Sequence, residues 1–168
     1  MRLHSSLRSQ GAEEMNAAHT IFISPGDFDH SVEIGKLRAV SNGIGAVVTF
    51  TGLVRDNNLD DGVTGLFLEH YPGMTEKSIL AILDEAASRW ELIASRVIHR
   101  VGPLTPGDQI VFVGACSPHR ADAFAATDFI MDYLKTRAPF WKKELTEVGE
   151  RWLETRQSDV DAAARWRR

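Results

Sequence analysis

Residues 134–144 read LKTRAPFWKKE. Four cations, Lys135, Arg137, Lys142 and Lys143, flank the apolar block Ala138-Pro139-Phe140-Trp141, and Glu144 follows. The whole chain carries a formal net charge of −4, so this is a local reversal of sign. Such a segment suits a pocket for an anion that carries a flat ring. Cations hold the negative charge, and aromatic side chains wall the ring. A lysine that loses water beside other cations falls below its usual pKa of about 10.4. It then becomes a usable base or nucleophile. The plainer reading is a solvated helix end, where the helix dipole favours cations. That reading accounts for Lys135 and Arg137. It accounts less well for Lys142 and Lys143, which lie beyond Pro139.

Other candidates are separate in sequence. Ser117-Pro118 reads as a helix start, with Ser at the cap and Pro in the first turn. His119 and Arg120 then sit at the positive end of that helix, an unfavourable place for cations unless an anion binds there. The alternative is that Arg120 pairs with a carboxylate such as Asp122. Arg55 ends an apolar strand just before the polar loop DNNLDDG. It reads either as a ligand clamp or as a partner of Asp56, Asp60 or Asp61. The lone Cys116 reads as a small core residue more readily than as a reactive thiol. His70, His99 and His119 show no metal-ligand spacing, so no metal is expected.

These residues need a scaffold. Of the 168 residues, 43% are hydrophobic, enough for one core and too many for a disordered chain. The acidic balance disfavours a nucleic-acid coat. No apolar run approaches the roughly 20 residues of a membrane span. Residues 1–18 lack the apolar stretch of a secretory signal and read as a flexible leader. Residues 19–168 read as a single domain, with the cytoplasm as the default compartment.

Thr20–Ile23 reads as an edge strand and Asp29–Val40 as a short helix. Ala46–Val54 reads as a buried strand, and Val63–His70 as a second strand. Thr75 is expected to cap a helix over Glu76–Arg89. Ser95–Val101 and Gln109–Ala115 are further strands, joined by a Gly102–Gly107 turn. The longest helix should run to about Arg137, since Pro139 restricts Ala138. Ala126, Phe129, Ile130, Tyr133 and Leu134 form its apolar stripe. Phe124, Asp128, Met131 and Lys135 form a second face, to be covered by a loop, a subunit or a ligand. Residues 144–152 stay open, and Ser158–Asp161 is a capping-box candidate for a last short helix. The expected class is α+β, with a mostly antiparallel sheet packed against helices.

Several blocks in order carry a resemblance: residues 47–55 (VVTFTGLVR), 68–76 (LEHYPGMTE), 99–102 (HRVG), 106–108 (PGD) and 131–142 (MDYLKTRAPFWK). Together, over about residues 43–166, the chain resembles the large, catalytic subunit of molybdopterin synthase. The resemblance implies an α/β hammerhead fold and a homodimeric core, with a small ubiquitin-like sulfur-carrier subunit at each end of a heterotetramer. It implies sulfur transfer from the carrier's C-terminal thiocarboxylate to cyclic pyranopterin monophosphate, making molybdopterin. The pterin is then the substrate, and no separate cofactor is implied. Lys135 and Lys142 match the catalytic lysines. Arg55, His119 and Arg120 match substrate-binding positions, and Lys143, Glu144 and Met131 are placed with them. The other class of reading is a non-catalytic scaffold that docks a ubiquitin-like tail.

His119 and Lys135 are sixteen positions apart. On one straight helix that is roughly 24 Å. A pterin phosphate is much shorter. If both residues serve one site, they come from different subunits. Mixing Lys135→Ala subunits with Arg120→Ala subunits should therefore restore activity in one of the two sites of the mixed dimer. A mixture no more active than either parent variant would rule out the shared arrangement.

Overall fold

The computed structural model describes residues 12–16, 18–59 and 61–167. Apolar and β-branched runs build two sheets, and the amphipathic segments between them become helices. The chain order is β1 (Ala12–Asn16), β2 (His19–Ser24), α1 (His30–Arg38), β3 (Ala46–Leu53), β4 (Asn57–Asn58), β5 (Asp61–His70) and α2 (Met74–Arg89). Then follow β6 (Ala94–Arg100), β7 (Gly102–Leu104), β8 (Gln109–Ser117), α3 (Arg120–Thr136), β9 (Phe140–Thr146), β10 (Gly149–Leu153) and α4 (Gln157–Ala164).

The first sheet has the order β1-β2-β6-β8-β3, and the second β10-β9-β5-β4, with β7 also on β5. Only β2 and β6 run parallel among these pairs. The expected mixed α+β class is therefore what forms. Alternation along the strands sends Ile21, Ile23, Val97, Val111 and Val113 to the face that packs on α2 and α3. The helices contribute Ile79, Ile82, Leu83, Phe129, Ile130 and Tyr133 to that core. The opposite face packs Ile98, Phe112 and Cys116 on Leu37 of α1. The stripe read along α3 is buried as expected.

Several local expectations change. Within the expected leader, residues 12–16 form β1, and residues 1–11 lie outside the described residues. β2 is consequently flanked on both sides rather than an edge. β3 is the sheet edge, and leaves Phe50 and Leu53 exposed. Thr75 does not cap α2. Gly73 does, because the Thr75 hydroxyl is engaged elsewhere, accepting from Tyr71 N–H and donating to the Pro139 carbonyl. Ser117 stays in β8 opposite Ala46, so His119 becomes the N-cap of α3. Arg156, not Ser158, caps α4. Residues 140–153, only partly assigned from sequence, form the β9–β10 hairpin.

The entry into α3 is fixed by a close backbone approach. A Cβ on Gly45 would lie 2.2 Å from the Pro118 carbonyl oxygen. Gly45 N–H also donates to Ser117 O at 3.0 Å. Backbone cannot move aside as a side-chain tip can. Gly45→Ala should lower the unfolding free energy by about 1–3 kcal/mol, measured by denaturant titration. An unchanged midpoint would show that the corner is slack.

Candidate active site

β9 alternates. Phe140, Lys142 and Glu144 lie on one face of the strand, and Trp141 and Lys143 on the other. The first set lines a cleft of about 1080 Å³ at the junction of the two sheets. Arg55, which follows β3, Met131 and Lys135 from α3, and Arg156 and Asp159 at the start of α4 line it too. His99, from the end of β6, lines its inner wall.

The lysines meet here as expected. Lys142 is largely withdrawn from water. Burial pushes its pKa down, and the nearby Lys135 and Arg156 cations push it further, against a smaller opposing pull from Asp159. Asp159 Oδ1 lies 3.7 Å from Lys135 Nζ. Thus one carboxylate steadies two cations without neutralising both.

Glu144 is 4% exposed. It does not pair with Lys142, two residues before it on the same face. It accepts from Asn58 Nδ2 at 2.9 Å and from Arg151 Nε at 2.9 Å. Arg151 also holds Asp61 at 2.7 Å, and Arg156 donates to Asn58 Oδ1 at 2.8 Å. The network ties the β3–β5 connection and the start of α4 to β9. Glu144 therefore organises the cleft wall. Arg151 has taken up Asp61, and among the described residues Arg55 makes no ion pair. Asp60 lies outside the described residues. Arg55 is left exposed on the rim.

Three sequence candidates are elsewhere. Lys143 points to the other face, 5.5 Å from the Phe67 and Trp152 ring centroids and 3.4 Å from Glu150. His119 and Arg120 are exposed at the far end of α3 from Lys135 and line no part of the cleft. Arg120 does not close on Asp122, whose carboxylate accepts from Glu91 N–H. Trp141 also points away from the cleft and is exposed. Cys116 is buried in the core, and burial pushes its thiol up to about 11, which makes it inert.

Four cleft residues were not singled out from sequence. Arg151 lies in a segment with no clear period, Arg156 belongs to no motif, and Asp159 falls inside the capping-box pattern of Ser158–Asp161. His99 was one of three scattered histidines. Its ring lies flat on Phe140, with centroids 3.8 Å apart and planes 17° apart. Among the described residues no group of three or more His, Cys, Asp or Glu is placed to hold a metal. None of their helices is long and apolar enough to cross a membrane.

A mixed α+β fold that gathers a partly buried lysine and further cations into one cleft makes a site suited to an anionic ligand. The sequence model of the family described as MoaE protein matches residues 24–137. The molybdopterin synthase catalytic subunit of Vibrio cholerae is 59% identical over 148 residues, 88% of this chain and 98% of that protein. The Escherichia coli subunit of the same name is 65% identical over 122 residues, 73% of this chain and 81% of its own length. The solved structure of the molybdopterin biosynthesis MoaE protein from Burkholderia ambifaria superposes with a TM-score of 0.74 at 51% identity, covering 86% of this chain and 95% of that one. The chain belongs to the MoaE family, the catalytic subunits of molybdopterin synthase.

Burial of His99 pushes its pKa down to about 3, with Lys142 and His70 adding repulsion and the Arg100 carbonyl opposing. The unfolded chain takes up this proton near 6.5. Between those values the unfolded state binds more protons, so stability is lost as pH falls through the window. The slope is up to about 1.4 kcal/mol per pH unit. In His99→Gln this contribution should vanish, and unfolding free energy should fall less steeply between about pH 4.5 and 6.5. Equal slopes would mean that the folded protein protonates the ring.

Proposed function

We propose that this chain transfers sulfur to cyclic pyranopterin monophosphate. The donor is the C-terminal glycine thiocarboxylate of a small ubiquitin-like carrier subunit, and the product is the dithiolene of molybdopterin. One observation carries the reading: Lys142, held short of water beside Lys135, lies in a cleft with a flat aromatic wall.

The substrate phosphate asks for fixed cations. Lys135, Arg156 and Arg55 supply them. Attack by the thiocarboxylate sulfur on a ring carbon builds a tetrahedral adduct and leaves the carrier joined as a thioester. Water cleaves that thioester to free the carrier's carboxylate. A second thiocarboxylate delivers the second sulfur in the same way, and opening of the cyclic phosphate releases an anionic oxygen. Cations already in place stabilise that charge without reorganising. With its pKa lowered, Lys142 is the better placed of the two lysines to take up and return a proton, or to bond transiently to a carbonyl carbon. Lys135, steadied by Asp159, is suited to charge stabilisation. Met131 and Phe140 offer apolar contact to the ring. The sulfur arrives already activated, so this reading calls on no metal or further cofactor.

His119 and Arg120 enter through a second copy of the chain. They are exposed, and the far end of α3 is too distant for one chain to bring them to Lys135. The exposed Phe50 and Leu53 on the edge strand β3, with Phe124 at 63% exposure, offer an apolar surface for that contact. A homodimer with one carrier at each end follows. The cytoplasm, where the lone thiol stays reduced, is the compartment proposed.

Incubation with a thiocarboxylated carrier and cyclic pyranopterin monophosphate should form dithiolene. Lys142→Ala should lower the rate by about 10²–10⁴-fold with the carrier still bound. Full turnover by Lys135→Ala and Lys142→Ala would remove the lysines from the chemistry, and carrier binding without any dithiolene formation by the parent protein would leave only a docking scaffold.

A further inference from the structure

We propose that His99 reads the ring of the bound heterocycle, its Nε2 accepting a hydrogen bond from a ring N–H. The inference rests on the sulfur-transfer reading for the identity of that ring as a pterin. His99 is 6% exposed and lines the cleft. Its Nδ1 lies 2.8 Å from the Arg100 carbonyl oxygen. A carbonyl only accepts, so Nδ1 carries the hydrogen and Nε2 is left with a lone pair. Among the described residues Nε2 has no hydrogen-bond partner. The Phe140 stack fixes the plane in which that lone pair points.

Besides His99, the side-chain acceptors on this cleft include the exposed Glu154 carboxylate, the buried Thr51 hydroxyl and two carboxylates already engaged. Glu144 is taken by Asn58 and Arg151, and Asp159 faces Lys135. Cations around the cleft hold the anionic end of a ligand but offer nothing to a ring N–H. A pterin presents N–H donors along its pyrimidine edge. A neutral imidazole acceptor, kept neutral by burial and by Lys142, completes the match. A buried acceptor of this kind discriminates well, because a ring lacking the donor leaves it unpaired.

Three variants test this. His99→Phe keeps the flat stack and removes both nitrogens. His99→Asn keeps a donor toward the Arg100 carbonyl and loses the acceptor at the Nε2 position. His99→Gln restores an acceptor near that position. The first two should raise KM for cyclic pyranopterin monophosphate about five- to tenfold, with kcat within about twofold of the parent. Gln should recover most of the loss, and carrier affinity should not change in any variant. Folding is checked by circular dichroism, and whichever of Phe and Asn folds decides. An unchanged KM in a folded variant overturns the proposal, as does a fall in kcat alone. Turnover by the parent protein tests the sulfur-transfer reading separately. If the parent does not turn over, a phosphate-free pterin serves as the probe, and its affinity must weaken by the same factor.

Discussion

A lysine kept partly dry beside other cations is the constraint that the rest of the molecule accommodates. Ammonium groups favour water and avoid one another. The fold opposes both preferences at Lys142. A carboxylate on the same strand face would be the simplest relief. Glu144 stands in that place, yet its oxygens are committed to Asn58 and Arg151. The remaining offset comes from Asp159, which faces Lys135. Among the described residues Lys142 is thereby left without a direct counter-ion, which keeps its proton labile.

Several elements hold this arrangement. The stack of His99 on Phe140 joins the end of the first sheet to the start of β9. Thr75 ties α2 to Pro139 and so fixes where β9 begins. Arg151 and Arg156 bind the β3–β5 connection to the opposite wall. α4 is kept on α3 by Arg165, which meets Asp128 and Asp132, and by the Trp166 indole N–H, which donates to Asp132. Each contact is ordinary. Their shared effect is to set the distance between α4 and the two lysines.

Much of this was legible in the residues, for reasons that can be named. Pro139 marked the end of α3, and the 3.6-residue period marked its buried stripe. The local excess of cations marked Lys135 and Lys142. Helix starts were less legible, because Ser117, Thr75 and Ser158 all look like caps. Ser117 and Thr75 are spent on neighbours distant in sequence or held in a strand, and local pattern cannot reveal that. Arg151, Arg156 and Asp159 were missed for a related reason. They reach the cleft through a hairpin and a helix that follow it in the chain, and pairing across β9–β10 is set by tertiary contact. His99 carried no mark beyond its type. Its significance lies in the ring beneath it and the carbonyl beside it.

The alternation of β9 has a consequence for how this segment tolerates change. Lys142 and Lys143 are chemically identical neighbours with opposite fates, one facing the cleft and one lying against Phe67 and Trp152. Which of them enters is decided by parity along the strand, set by pairing of Lys142 with Leu68 and Lys143 with Phe67. A single-residue deletion between Phe140 and Lys142 would preserve every charge in the segment while turning the other lysine inward and Glu144 outward. Composition would record almost nothing, and the wall-building carboxylate would be lost together with the register.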